Sequence, residues 1–224
     1  MNETIGIFGD SSADPVEWLN HSWVELLAKE YDFTNYAKRG SSLLYTYSNI
    51  CQEHTKFDKI IVFIPPVGRM WAPNCYINQH FINHNTVKLY YDNADYSDKR
   101  ILDAIKNYFV YVSTDEKEIL QHNAIVDSIK SKIPNALIIP VTGRSIEHYQ
   151  GVCMHDISLI DYAYYSVHEY TPDFGRTCHM NVKNNEIFYQ KIKKWLQDGE
   201  FSVKLTEFQE PTETKEDLFY NEKH

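Results

Sequence analysis

The sequence predicts an α/β fold of three layers, α/β/α, around a central and mostly parallel sheet. Short β-branched apolar runs alternate with stretches of helical periodicity along the chain. The strongest runs, Lys59 to Ile64 (KIIVFI) and Ala136 to Val141 (ALIIPV), are continuous rather than alternating, as in strands covered on both faces. A chain of 224 residues with 43% hydrophobic content suffices for one large domain with its own core.

Taken in order, Thr4 to Phe8 reads as a buried strand that feeds a turn at Gly9-Asp10-Ser11-Ser12. Asp14-Pro15 then offers an N-cap and a first helical proline. Val16, Leu19, Trp23, Leu26 and Leu27 recur at helical spacing up to about Glu30. Phe33 to Ala37 is a second short strand, Arg39 to Ser42 a turn, and a helix follows toward Glu53. The third strand, Lys59 to Ile64, is stopped by Pro65-Pro66. Residues 70 to 97, rich in Asn, Tyr and His, read as an insertion or lid with a strand-like stretch at Val87 to Tyr91. Two helices are expected over about 98–112 and 115–132, ahead of the strand at Ala136 to Val141. Residues 143 to 178 are mostly loop, with a short helix around 156–166. Asn181 opens the last helix, which places Ile187, Ile192, Trp195 and Leu196 on one face and ends near Gly199. The domain therefore spans 1–199, and 200–224 is an acidic C-terminal extension in which Phe201 to Phe208 is read as a further strand.

Composition narrows the function classes. The net charge is −9 and no basic stripe exists, which argues against extended contact with nucleic acid. Cys51, Cys75, Cys153 and Cys178 form no C-x-x-C pair, so they read as reduced thiols rather than a zinc ribbon or redox motif. The start, Met1-Asn2-Glu3-Thr4, lacks the basic and apolar regions of a signal peptide. No apolar run approaches the ~20 residues needed to span a bilayer. A cytoplasmic location is expected, with association with a virion left open. No glycine-rich nucleotide fingerprint is present and no cofactor is expected. His80 and His84 are four apart, but no Glu follows His80, and His148, Cys153 and His155 form only a loose cluster; no metal site is expected.

In sheets of this kind ligands lie beyond the carboxyl ends of the strands. Gly9-Asp10-Ser11 follows the first strand, Gly40 the second, and Pro65, Pro66 and Arg69 the third, while Cys178-His179 precedes the last helix. A serine needs a base to become a nucleophile, and histidine suits that task near neutral pH. The oxyanion of acyl transfer needs preorganised donors, which backbone N–H groups at a strand-to-helix turn provide.

These residues resemble a known family, the SGNH (GDSL-type) hydrolases. Ile7-Phe8-Gly9-Asp10-Ser11-Ser12-Ala13-Asp14 resembles the family's first block, which carries the nucleophile on the serine that is Ser11 here. Asn35-Tyr36-Ala37-Lys38-Arg39-Gly40 resembles the second block, whose glycine supplies an oxyanion-hole N–H, here Gly40. Cys178-His179-Met180-Asn181 with Asn184-Asn185 resembles the last block, whose histidine is the base, here His179. Phage-type members are similar in the His-Met-x-x-x-Asn stretch. The resemblance implies a flavodoxin-like sheet.

Two departures from the family stand out. The third block normally supplies an Asn side chain to the oxyanion hole, but Ile64-Pro65-Pro66-Val67-Gly68-Arg69 contains none. Arg69 as donor and Asn74 folding back are the two alternatives. Second, Arg176 stands where the last block usually has the Asp that orients the imidazole. Asp173, six residues before His179, is one replacement; a backbone carbonyl, giving a Ser–His dyad, is the other. Asp10 is expected to brace the turn through its carboxylate and to border the substrate.

The resulting expectation is a serine esterase or deacylase acting on a small O-acyl ester, an acetylated carbohydrate or a short-chain lipid ester, through an acyl-Ser11 intermediate. The alternative is a binding module for a glycan or protein on the same fold, with catalysis weakened or lost through the two departures. The oligomeric state is left open.

Overall fold

The computed structural model describes residues 3–14, 22–38, 40–69, 99–141, 180 and 182–208. Strands β1 (Ile5–Phe8), β2 (Phe33–Asn35), β3 (Lys59–Ile64) and β4 (Leu137–Pro140) form one sheet in the order β2-β1-β3-β4. Every pairing is parallel, with Ile5 opposite both Phe33 and Lys59, and Ile61 opposite Leu137. The helices are α1 (Trp23–Leu27), α2 (Leu43–Glu53), α3 (Lys99–Tyr111), α4 (Asp115–Lys132) and α5 (Val182–Asp198).

The three layers follow from the period of two along each strand. Ile5, Ile7, Ile61, Phe63, Leu137 and Ile139 join one core cluster with Trp23 and Leu27 of α1 and Phe188, Ile192 and Trp195 of α5. The intervening residues Phe8, Ile60, Val62, Ile64 and Ile138 join the other, with Leu43 and Ile50 of α2 and Val126 and Ile129 of α4. Continuous apolar runs are therefore required: each residue of β1 and β4 is buried, whichever face it takes. The α/β/α architecture expected from the alternation of elements is the one found.

Three helices start on hydroxyl caps, which satisfy N–H groups that have no partner inside the helix. Ser22 Oγ accepts from Glu25 N (3.2 Å) while Glu25 Oε2 accepts from Ser22 N (2.9 Å), a reciprocal capping box for α1. Ser42 caps α2 through Tyr45 N at 3.3 Å, and Thr114 caps α4 through Lys117 N at 3.2 Å. Trp23 anchors α1 on the sheet, its ring centroid 5.2 Å from Phe63 and 5.6 Å from Phe188 of α5.

Two expected elements are different. Ser22 is extended (ψ 154°) and caps a helix of Trp23–Leu27, so the helix expected to run from Pro15 to about Glu30 is not continuous through that point. The stretch from Phe201 to Phe208 forms no strand; a 3-10 turn occupies Leu205–Glu207. Phe201, Val203 and Phe208 pack on the α1/α5 core cluster, and Glu207 turns the chain by accepting from Lys204 N (2.9 Å) and pairing with Lys191 (2.7 Å). The apolar alternation there serves packing on a helix layer rather than pairing on the sheet. The expected helix start at 15–21, the insertion at 70–97 with Val87 to Tyr91, the helix around 156–166 and the tail beyond 208 lie outside the described residues. No helix among the described residues is long and apolar enough to cross a membrane.

His122 of α4 is buried, and burial lowers its pKa from the ordinary 6.5 to about 4. An unfolded chain therefore binds a proton at this position between pH 6.5 and 4 that the native protein does not. The stability this represents is complete above pH 6.5 and is lost as pH falls toward 4. Urea unfolding at neutral and at mildly acidic pH, for wild type and His122→Gln, is expected to show wild type losing roughly 2 kcal/mol more than the variant on acidification. Equal losses would remove His122 from the acid sensitivity of the fold.

Candidate active site

Parallel pairing sends the chain out of β1, β2 and β3 at the same edge of the sheet. Beyond Phe8 the chain passes Gly9 at φ 150°, where an added Cβ would stand 2.6 Å from Phe63 Cβ, so only glycine permits this close approach to β3. It then turns, with Ala13 N donating to Asp10 O at 3.1 Å and Ser12 N donating to Asp10 Oδ1 at 3.0 Å. Ser11 lies inside that turn and is 9% exposed. The turn is held from outside by the indole of Trp23, whose Nε1 donates to Ser12 O at 2.8 Å. The residues on both sides of Ser11 are thus tied down, Asp10 by its side chain and Ser12 by its backbone.

The segment after β2 docks on the same turn. Gly9 O accepts from Lys38 N at 3.1 Å and from Ser41 Oγ at 2.7 Å. Gly40 adopts φ 69°, the left-handed conformation that glycine takes without strain, and this lets Ser41 N return to Lys38 O at 2.9 Å. Asn35 adds a further tie, Nδ2 donating to Ala13 O at 2.7 Å while Oδ1 accepts from Ala37 N at 2.8 Å.

Arg69, beyond β3, closes the set. Its Nη1 donates to Asp10 Oδ2 at 2.6 Å and also reaches Ser41 O at 3.3 Å. The two side chains are 14% and 1% exposed, so this is a charge-assisted bond in a largely water-free setting. One guanidinium nitrogen from the third turn therefore bridges the first and the second. Arg69 also borders a pocket of about 490 Å³ lined by Leu43, Pro66, Phe109, Gln121 and His122, between the α2 N-terminus and the α3–α4 hairpin. The lining mixes apolar, aromatic and hydrogen-bonding groups.

Of the residues expected to form the site, Ser11, Asp10, Gly40 and Arg69 come together at this sheet edge. His179 and Asp173 lie outside the described residues, as do Asn74, His80, His84, His148, Cys153 and His155. Met180, the next residue after His179, is described and buried. Its carbonyl accepts from Asn185 Nδ2 at 2.8 Å, and Asn185 Oδ1 in turn accepts from Trp23 N at 3.0 Å. Trp23, Ser41 and Asn185 are the members of this framework that sequence reasoning did not single out for such roles. Trp23 registered only as an apolar position on a helix face, and nothing in a linear pattern pairs its indole with Ser12 O. Among the described residues no group of His, Cys, Asp and Glu is arranged to hold a metal ion.

The chain matches no protein-family model and no curated protein. Among solved structures it is similar to the psychrotrophic esterase EstA from Pseudoalteromonas sp., in a form inhibited by monoethylphosphonate, at 14% identity and a TM-score of 0.44, over 88% of this chain and 100% of that one. It is similar to a member of the lipolytic protein G-D-S-L family from Veillonella parvula at 10% identity and a TM-score of 0.45, over 87% of this chain and 98% of that one. It is similar to TesA at 11% identity and a TM-score of 0.43, again over 87% and 98%. An esterase and a G-D-S-L lipolytic protein are thus among the structures this chain is similar to, over 87% or more of its length.

Proposed function

We propose that this protein is a serine ester hydrolase of the SGNH (GDSL) type, acting through Ser11. The observation that carries the reading is the turn after β1: Ser11 is held between an Asp10 side chain fixed by Arg69 and a Ser12 carbonyl fixed by Trp23. Such preorganisation is what a nucleophile and its oxyanion donors require, and a plain surface turn has no use for it.

In the proposed reaction His179 takes the Ser11 proton as Oγ forms a bond to the ester carbonyl carbon. The carbonyl π electrons move to oxygen, and the N–H groups of Ser11 and Gly40 receive that oxyanion, with the Arg69 guanidinium assisting. Collapse breaks the bond to the leaving alcohol, which takes the proton from His179. Water then attacks acyl-Ser11 and gives its proton to His179; collapse breaks the bond between the acyl carbon and Ser11 Oγ, Oγ takes that proton back from His179, and the acid leaves. Asp173 orients the imidazole, or a backbone carbonyl does so in its place. The acyl group is small, an acetyl or a short chain. The alcohol part is a carbohydrate or a short lipid, and a mixed polar and aromatic pocket beside Arg69 supports the carbohydrate.

The Asp10–Arg69 pair also supports a functional reading on energetic grounds. A buried ion pair contributes little net stability over apolar residues of the same volume, whereas removing one partner is costly because the other charge stays buried. Its use here is geometric, to hold three turns in one arrangement.

Hydrolysis of p-nitrophenyl acetate by wild type and Ser11→Ala tests the central assignment. Loss of roughly 10³-fold or more in kcat is expected for the variant; equal rates would take Ser11 out of the mechanism. For the ion pair, Arg69→Met is expected to lower unfolding stability by about 3 kcal/mol, since Asp10 loses its counter-charge. Asp10→Asn combined with Arg69→Met should lose less than Arg69→Met alone in the same urea titration. A double variant at least as damaged as the single would show that charge burial is not the cause.

A further inference from the structure

We infer that Asn185 is a positioning residue for the reaction, a side chain that sets the segment carrying the nucleophile against the segment carrying the base. The inference rests on the esterase reading of Ser11 and His179 and adds a residue that this reading does not include.

Asn185 lies on the first turn of α5 and is 7% exposed. Its amide spans two partners far apart in sequence. Oδ1 accepts from the backbone N–H of Trp23, 162 residues away, and Nδ2 donates to the carbonyl of Met180. The first bond satisfies an N–H at the start of α1 that has no partner within the helix. The Ser22–Glu25 capping box already serves that helix end locally, so the long-range bond adds something a local cap does not. It fixes α1, and with it Trp23, relative to α5.

Trp23 transmits that position. Its indole is packed between Phe63 and Phe188 and is 1% exposed, so the ring has no freedom to tilt independently of α1. Nε1 then donates to Ser12 O, adjacent to Ser11. On the other side of Asn185, Met180 O belongs to the residue that follows His179 in the chain. Two hydrogen bonds from one amide, and one from an indole, therefore join residue 12 to residue 180.

The chemistry explains the residue type. Both partners are backbone groups of opposite kind, a donor at Trp23 and an acceptor at Met180, and a carboxamide presents one acceptor and one donor at matching ends. Aspartate has the shape but would set a carboxylate oxygen against the Met180 carbonyl. Leucine fills the space and bonds to neither.

Asn185→Asp in the full chain is the test, with Trp23→Phe as a second variant and Ile129→Val, in the opposite core layer, as a control for general destabilisation. Folding of each is checked by circular dichroism. Asn185→Asp is expected to lower kcat for p-nitrophenyl acetate by about 10–100-fold, the scale of a misplacement of around 1 Å, with KM within about twofold of wild type. Trp23→Phe should lower kcat in the same sense, and Ile129→Val should leave it unchanged. A second readout does not depend on turnover: in protein carrying isotope-labelled histidine, the ring signal assigned to His179 through His179→Gln should move in Asn185→Asp while that of His122 stays. A folded Asn185→Asp protein with wild-type kcat and an unmoved His179 signal would overturn the inference. Should wild type hydrolyse no ester at all, the esterase reading fails on its own, and the His179 signal still decides whether Asn185 holds that segment.

Discussion

A buried carboxylate organises this sheet edge. Asp10 is 1% exposed, and a charge in that setting requires both a counter-charge and hydrogen-bond donors. Arg69 supplies the first from the turn after β3, and Ser12 N supplies a donor from Asp10's own turn. Because the same guanidinium nitrogen reaches Ser41 O, satisfying Asp10 also binds in the turn after β2. Three turns that parallel strands merely deliver to one edge are thereby made into one rigid unit around Ser11. Without this constraint each would be an ordinary surface connection.

The layers beneath the site divide the work. The α1/α5 layer reaches up to the turn through hydrogen bonds, Trp23 to Ser12 and Asn185 to both Trp23 and Met180. The α2/α4 layer borders the pocket instead, with Leu43 and His122 in its lining. Packing on one face of the sheet thus fixes position, and packing on the other shapes the space beside Arg69. Gly9 seats the turn on the first of these layers, since its close approach to Phe63 brings the backbone of the turn directly onto that core cluster.

Much of the fold was legible because it is written in local patterns. The run at Lys59–Ile64 is as apolar as a strand covered on both faces must be, and it forms β3 with the boundaries read from sequence. The helix at Leu43–Glu53 begins where Ser42 can cap it, and α4 begins where Thr114 can. Phe201 to Phe208 misled because alternating apolar residues serve equally for packing on a helix layer, and periodicity does not reveal whether a sheet edge is within reach. At the site, Ser11, Asp10, Gly40 and Arg69 could be named because each follows a strand. The partners that hold them could not. The bonds between Arg69 and Asp10, and between Asn185 and Trp23, join residues 59 and 162 positions apart, and no local pattern encodes such a pairing.

The most direct measurement is mass spectrometry of the intact protein after exposure to a fluorophosphonate, followed by mapping of the modified peptide. A single phosphonyl adduct on Ser11, abolished in His179→Gln, is the expected result. An unmodified protein, or an adduct on a different residue, would contradict Ser11 as an activated nucleophile.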